Sequence, residues 1–125
     1  MPTVTELETA IRAAWCRETS DDPDEWTPAN PARGQCGVTA LVVRDYLGGE
    51  ILIATVIPED GSQPTERHGW NRLPSGIEID FTREQFHARE RLGPAAAQEP
   101  MVRARAPHRC ELLAERVKQL LASPD

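Results

Sequence analysis

The stretch 36–57 constrains the fold most, because it places a helix pattern, a glycine stop and a buried-strand pattern in direct succession. Residues 36–47 contain no proline and carry apolar side chains at helical spacing, namely Val38, Leu41, Val42 and Tyr46. The Gly48–Gly49 pair predicts the end of that helix, since glycine adopts the left-handed cap conformation without a steric penalty. Glu50–Ile57 is apolar on both alternating sets, which predicts a central strand buried on both faces. The core therefore has to hold a helix packed on a sheet.

Two further helices are predicted at the ends of the chain. Thr5 as N-cap, with Glu8 three residues later, forms a capping-box pattern that predicts a helix start. The apolar face of this helix recurs every four residues and ends near Cys16: Leu7, Ile11 and Trp15. Residues 110–122 predict a closing helix, because their apolar side chains lie on one side: Leu112, Leu113, Val117, Leu120 and Leu121.

The intervening segments predict a long loop and a hairpin. Residues 17–35 contain three prolines and an acidic cluster. Only a short segment precedes them, so we expect a functional or covering loop within one domain rather than a linker. Strands near residues 66–72 and 76–81 flank the turn-forming segment 73–76, which predicts a hairpin.

The segment before the closing helix has weaker patterns. Residues 82–92 are charged with some helical character, and residues 93–108 contain three prolines and are expected to be irregular. The order of elements is helix, loop, helix, strands and helix, which predicts a single α+β domain over residues 1–125. A chain of 125 residues accommodates one such core and has no room for two of ordinary size.

Charge and cysteine usage exclude several classes of protein. The 14 Lys and Arg residues against 20 Asp and Glu residues give a net charge of −6, which argues against a nucleic-acid partner. The longest strongly apolar stretch, Ile51–Ile57, is far below the ~20 residues of a membrane span, and the first residues lack a signal-peptide pattern. Cys16, Cys36 and Cys110 are odd in number and lack a CxxC spacing, which fits neither a disulfide framework nor a zinc site. We therefore expect a cytoplasmic domain with free thiols.

Cys36 occupies the first turn of the predicted helix within the sequence GQCGVTA. The helix macrodipole, about half an elementary charge, favours a thiolate there, and the unpaired backbone N–H groups of that turn can hold an oxyanion. Gly34 and Gly37 leave the thiol uncrowded. The alternative is a small buried residue that packs under the helix, and position alone does not separate the two roles.

His68 and Asp80 form the second part of the candidate site. If the hairpin turn centres on Pro74, these residues lie directly opposite each other on one face, with Cβ atoms about 5 Å apart. The other face then carries core residues: Ile77, Ile79 and Phe81. A turn one residue different would place His68 and Asp80 on opposite faces, and a single histidine is often only a satisfied core or surface residue.

A cysteine at a helix start, followed by a strand histidine and a strand carboxylate, has the order nucleophile, base and orienting group. In this arrangement His68 takes the proton of Cys36, and Asp80 fixes the tautomer of His68 and stabilises its imidazolium form. The other cysteines and histidines are expected to be structural or exposed: Cys16, Cys110, His87 and His108.

These motifs resemble those of known enzymes. GQCGVTA resembles the nucleophile segment of transglutaminase-like enzymes, and HGWN followed by GIEIDFT resembles their His-x-Trp strand and the Asp-x-Thr that ends the next strand. The closer resemblance is to the small bacterial YunG-like proteins, relatives of papain and transglutaminase, over roughly residues 15–90. The resemblance implies a papain-like, transglutaminase-like core and a Cys-His-Asp triad, with Cys36 as nucleophile, His68 as base and Asp80 as orienting group.

The resemblance leaves the oxyanion donor open. Papain-like enzymes use a glutamine several residues before the cysteine, whereas Gln35 is adjacent to Cys36 and Asn30 lies six residues before it. We expect the backbone N–H of Cys36 and one side chain, either Gln35 or Asn30, to bind the oxyanion. Trp26 and Trp70 are candidates for the walls of a substrate groove, with simple packing as the alternative.

The sequence thus predicts a cysteine hydrolase or acyltransferase that acts through an acyl-enzyme intermediate on a peptide or small-molecule acyl substrate. The bond attacked is an amide, a thioester or an ester, and the chemistry requires no metal or organic cofactor. The alternative is a non-catalytic binding or regulatory module that retains the fold. The short chain favours this module, while an intact set of Cys36, His68 and Asp80 argues against it.

Overall fold

Helices pack against one antiparallel sheet in the computed structural model, which describes residues 2–58, 60, 62–63, 66–83, 91–100 and 102–122. The α-helices are α1 (Val4–Ala14), α2 (Cys36–Leu47), α3 (Val102–Arg105) and α4 (Pro107–Ala122), with a 3₁₀ turn at Arg17–Thr19. The strands are β1 (Glu50–Ile57), β2 (Arg67–Arg72), β3 (Glu78–Ile79), β4 (Arg91–Leu92) and β5 (Ala96–Ala97). The mixed α+β class expected from the sequence is confirmed.

The helix–strand unit at the centre of the chain has the predicted bounds. Helix α2 ends where Gly48 and Gly49 adopt positive φ angles of 75° and 86°, and β1 begins at the next residue. Strand order in the sheet is β3-β2-β1-β4, and β5 also pairs with β1, so β1 lies at its centre. Its central position explains why five of the eight residues of β1 are buried.

The core lies between α1, α2, α4 and the sheet. Its fully buried members include Leu7, Ile11, Leu41, Ile51, Leu113 and Val117. Two buried hydrogen bonds position α2 within this core. Trp15 Nε1 donates to Thr39 Oγ1 at 2.9 Å, and Asn71 Nδ2 donates to the Ala40 carbonyl at 3.0 Å. Helix α2 is therefore attached through polar contacts to α1 on one side and to β2 on the other.

Helix α1 starts earlier than the capping pattern at Thr5 predicts. Its N-cap is Thr3, whose Oγ1 accepts from the Glu6 backbone N–H at 3.0 Å while Glu6 Oε1 accepts from the Thr3 N–H at 2.9 Å. The sequence contains two overlapping capping-box patterns two residues apart, and the upstream one adds residues to the helix. The start at Thr5 was therefore wrong.

The C-terminal part of the chain is more regular than expected. Residues 93–108 contain β5, α3 and the first residues of α4, so the prediction of an irregular segment holds for 93–95 and 98–100 and was wrong for the rest that the structure describes. Pro107 begins α4, a position where its missing N–H costs no hydrogen bond. The helical character predicted for residues 82–92 falls largely on 84–90, which lie outside the described residues. Among the helices that are described, none has the length and apolar character needed to cross a bilayer.

The close approach between Gly49 and β2 makes a strong stability prediction. An added Cβ at Gly49 would overlap the Arg72 carbonyl oxygen, whereas a Cβ at Gly76 would meet nothing within 4 Å. Both glycines have positive φ, 86° and 93°, so alanine at either position costs about 1–2 kcal/mol of backbone strain. We expect Gly49→Ala to lower the free energy of unfolding by about 2 kcal/mol more than Gly76→Ala, measured by urea denaturation. Equal losses would contradict the close approach.

Candidate active site

Cys36 is the first residue of α2 and is half-buried. The first helical hydrogen bond runs from the Thr39 N–H to the Gln35 carbonyl at 3.0 Å, and the Gln35 side chain does not cap the helix. The N–H groups of residues 36–38 consequently have no partner in the preceding turn of the helix. A negative charge on or near the Cys36 sulfur therefore lies at the positive end of α2.

His68 lies on β2, opposite Ala54 of β1, and its side chain is fully buried. Its Nε2 atom is 2.6 Å from Asp80 Oδ2. The other carboxylate oxygen of Asp80 accepts hydrogen bonds from the Thr82 N–H at 3.1 Å and from Thr82 Oγ1 at 3.2 Å. Thr82 thus holds one oxygen of Asp80 and leaves the other for the imidazole.

The hairpin reaches this arrangement through a register that differs from the predicted one. Arg72 pairs with Glu78 and Asn71 with Ile79, so Asp80 does not lie directly opposite His68. The connection closes through a bond from the Leu73 N–H to the Ile77 carbonyl at 2.8 Å, which makes it longer than a turn centred on Pro74. The direct cross-strand pairing predicted for His68 and Asp80 was therefore wrong.

The register shift moves the strand by two residues, which preserves the face on which each side chain lies. His68 and Asp80 therefore still meet, along the diagonal of the hairpin, within the reach of longer side chains. Trp70 and Glu78 repeat this diagonal, with Trp70 Nε1 donating to Glu78 Oε1 at 2.7 Å. Of the hairpin residues predicted to lie in the core, Ile77 is not buried, because it belongs to the connection between the strands and is 62% exposed.

The protonation of His68 reflects its neighbours. Burial lowers its pKa, but hydrogen bonds to Asp80 and Cys36, together with the charges of those two groups, raise the pKa of His68 from 6.5 to about 9. The imidazole is therefore protonated at neutral pH. His68 is hydrogen-bonded both to the Asp80 carboxylate, through Nε2, and to the Cys36 side chain. The structure thus brings the three predicted side chains together in the order sulfur, imidazole, carboxylate.

The two tryptophans proposed as groove walls have different positions. Trp70 stacks on the His68 imidazole, with ring centroids 5.7 Å apart and planes at 21°, so it covers the ring. Trp26 donates its Nε1–H to the Pro31 carbonyl at 3.0 Å, and Arg17 lies over its indole ring. Trp26 therefore packs within the loop before α2, while Trp70 contributes to the site by shielding His68.

Neither side chain proposed as an oxyanion donor lines the cleft at Cys36. Gln35 is fully buried, its Nε2 donates to the Cys16 carbonyl at 3.0 Å, and its Oε1 accepts from Thr19 Oγ1 at 2.8 Å. Asn30 belongs to a tight turn in which its N–H bonds to Thr27. Gln35 thus ties the loop to the start of α2, and the backbone N–H groups of that start remain the candidate oxyanion donors.

Two depressions meet at Cys36. The smaller one, about 200 Å³, has mixed walls, in which Ile53, Pro100 and Val102 lie beside Gln98 and Glu99. The larger one, about 420 Å³, is charged, with walls that include Asp22, Arg33, Glu66 and Arg105. Cys36 lines both depressions, together with Asp21 and Arg67. Cys36 therefore lies between a depression of mixed polarity and a strongly charged one.

Sequence reasoning missed two groups of residues at the site. Thr82 was detectable, because an aspartate commonly bonds the backbone two residues further on, as Asp80 does. Asp21 and the cleft residues 98–100 and Val102 carry no local signal, since only the tertiary fold brings them to Cys36. Of the residues expected to be structural or exposed, Cys110 is buried in the core and His108 is exposed, whereas His87 lies outside the described residues.

These features define a class of small α+β domain in which a helix-start cysteine meets a strand histidine and an aspartate at a surface cleft. The chain belongs to the YunG family, since the family model described as "YunG protein" matches residues 3–122. It is 41% identical over 78 residues to "Uncharacterized protein YunG" of Bacillus subtilis (strain 168). That alignment covers 62% of this chain and 58% of the relative, so the chain matches less than two-thirds of the relative's length. No solved structure matches the chain.

Proposed function

We propose that this protein is a thiol-dependent acyl-group enzyme with Cys36 as nucleophile, His68 as acid and base, and Asp80 as orienting group. The observation that carries the proposal is the buried His68, held at 2.6 Å by Asp80 and in contact with Cys36. Burial alone favours the neutral form of a histidine at 0% exposure, so the raised pKa of His68 comes from its contacts with Asp80 and Cys36. The arrangement fits a thiolate–imidazolium pair.

The proposed reaction begins when the Cys36 thiolate attacks the carbonyl carbon of an amide, thioester or ester. The oxyanion that forms is stabilised by the free N–H groups at the start of α2. Protonated His68 gives its proton to the leaving group, and the acyl group remains on the Cys36 sulfur. Neutral His68 then takes a proton from water or an amine, which attacks the thioester and releases the acyl product.

The nature of the second nucleophile decides the enzyme class. Water makes the protein a peptidase, amidase or thioesterase, and an amine makes it a transglutaminase or amide synthase. We further propose that the core is of the papain-like, transglutaminase-like type, because the cysteine starts a helix and the histidine and aspartate follow on the sheet. A reducing compartment such as the cytoplasm suits an enzyme whose nucleophile is a free thiol.

Thiol reactivity tests the first requirement of this proposal. At pH 6 a free cysteine is roughly 0.3% thiolate, so a thiol held as an ion pair reacts much faster than an ordinary one. We expect iodoacetamide at pH 6 to label Cys36 at least about 30-fold faster than Cys16, with labelling mapped by peptide mass spectrometry. Cys16 is the matched reference because it is also half-buried. Equal rates would exclude an activated thiol and leave the non-catalytic binding module.

Acyl transfer itself is tested with an activated ester. We expect 4-nitrophenyl acetate to release a burst of nitrophenolate equal to the protein concentration and to leave one acetyl group on Cys36. The burst should be absent in Cys36→Ala and retained in Cys16→Ala. An acetyl group spread over several residues, or a burst that survives Cys36→Ala, would contradict the acyl-enzyme.

A further inference from the structure

The charged depression beside Cys36 contains one carboxylate that differs from the others. Arg33 is paired with Asp22 at 2.7 Å and with Glu66 at 3.3 Å, so these two acids share one guanidinium within the site. Asp21, by contrast, has no side-chain hydrogen bond or ion pair to any residue in the part of the chain that the structure describes. Asp21 is also the acid that lines both depressions together with Cys36.

The position of Asp21 relative to Cys36 is fixed by backbone bonds. The Asp21 N–H donates to the Gly34 carbonyl at 3.0 Å, two residues before the nucleophile. Ser20 Oγ donates to the Arg33 carbonyl at 2.7 Å and accepts from the Asp22 N–H at 3.0 Å. Gly34 has a φ of 72°, and a Cβ there would overlap Ser20 Oγ, so this close contact requires glycine. The loop thus holds Asp21 at the mouth of the cleft.

The surroundings of Asp21 leave its charge incompletely balanced. Asp21 is exposed at the mouth of the cleft, yet partial desolvation there raises its pKa, and the positive charge of Arg109 lowers it without cancelling that effect. Arg109 itself donates through Nη1 to the Ser20 carbonyl at 3.4 Å. A carboxylate in this situation gains stability when a cation arrives to pair with it.

We propose that Asp21 is a specificity residue, which selects substrates that carry a positively charged amine or guanidinium group next to the carbonyl attacked by Cys36. This inference rests on the proposed function, because it assumes that the substrate binds at Cys36. The cation enters the charged depression and pairs with Asp21. The remainder of the acyl group can then contact the apolar residues of the smaller depression, such as Ile53 and Val102.

Thiol reagents of equal reactivity and opposite charge test the inference. Methanethiosulfonates transfer an alkylthio group to a thiolate: the Cys36 sulfur forms a disulfide bond, the reagent's S–S bond breaks, and methanesulfinate leaves with the electron pair. The cationic reagent carries a trimethylammonioethyl group and the anionic reagent a sulfonatoethyl group. The quantity measured is the ratio of cationic to anionic rate constants at Cys36.

We expect Asp21→Asn to lower this ratio about tenfold and Asp21→Lys to lower it further, since the local charge is removed and then reversed. The control is Asp24→Asn, which makes the same change in net charge in the same loop at a residue that does not line the depressions described here. A ratio that is unchanged in Asp21→Asn, or that falls equally in Asp24→Asn, would overturn the inference.

The outcome is separable from that of the proposed function. If Cys36 reacts no faster than Cys16 with the cationic reagent or with iodoacetamide, the activated thiol fails. If Cys36 reacts rapidly but the ratio of cationic to anionic rate constants is the same in Asp21→Asn as in the wild type, the activated thiol is supported and the specificity role of Asp21 is excluded.

Discussion

Asp80→Asn is expected to slow the alkylation of Cys36 at pH 6 by about 10–100-fold, within the roughly 300-fold range that separates a full thiolate from an ordinary thiol at that pH. The asparagine can keep the hydrogen bonds from Thr82 to one of its side-chain atoms, so the turn after β3 remains in place. It cannot supply the negative charge next to His68 Nε2. The pKa of His68 then falls, because Cys36 alone opposes the effect of burial, and Cys36 loses part of the positive charge that favours its thiolate.

The control for this prediction is Glu78→Gln. Glu78 lies on the same hairpin and accepts a hydrogen bond from Trp70 at 2.7 Å, along the same diagonal direction as the bond between Asp80 and His68. The Glu78→Gln substitution removes one negative charge close to the site without changing a partner of the imidazole. Alkylation of Cys36 should change less than threefold in this variant. A loss in Glu78→Gln as large as that in Asp80→Asn would mean that general charge, not the contact with His68, sets the reactivity.

Local patterns predicted the helix–strand unit well because each of its signals acts within a few residues. The Gly48–Gly49 pair ends α2 and the apolar run that follows forms β1 at the expected positions. The start of α1 was misplaced because Thr3 and Thr5 each begin a capping-box pattern, and sequence alone does not say which one the chain uses. Local signals therefore identify an element more securely than they place its first residue.

The contact between His68 and Asp80 was predicted through a wrong register. The true connection is longer than a turn centred on Pro74, and the strands are offset by two residues. A shift of two keeps every side chain on its face, whereas a shift of one would have separated the pair. The prediction that His68 and Asp80 share a face required only that the register shift be an even number of residues. Which residue lies directly opposite His68 depends on the turn geometry, which the sequence leaves open.

The surroundings of the thiol could not be predicted, because they are assembled from distant parts of the chain. Asp21 and Gln35 illustrate two outcomes of tertiary packing. Gln35 is adjacent to the cysteine in sequence, yet its amide bonds to Cys16 and Thr19 inside the protein. Asp21 lies 15 residues before Cys36 in the sequence and lines the same cleft. Sequence distance is therefore a poor guide to which polar side chains face the sulfur.

The raised pKa of His68 predicts how stability changes with pH. The group binds its proton more tightly in the folded protein, with a pKa of about 9, than in the unfolded chain, with 6.5. Its contribution to the free energy of unfolding is therefore fully present below pH 6.5, declines between pH 6.5 and 9, and is lost above that range. The contribution is on the order of 3 kcal/mol.

Urea denaturation at several pH values measures this contribution. We expect Cys36→Ala to lose stability as the pH rises above 6.5, relative to the double variant Cys36→Ala/His68→Gln, because a Cys36 thiolate in the wild type lacks one proton and offsets the extra proton on His68. His108→Gln removes an exposed histidine and should follow the wild type. His68 is fully buried, so a variant at this position can fail to fold. NMR titration of the His68 ring in the wild type then measures its pKa directly. A midpoint below pH 7 would show that Asp80 and Cys36 do not hold the proton on His68, and the ion pair on which the proposed chemistry depends would be absent.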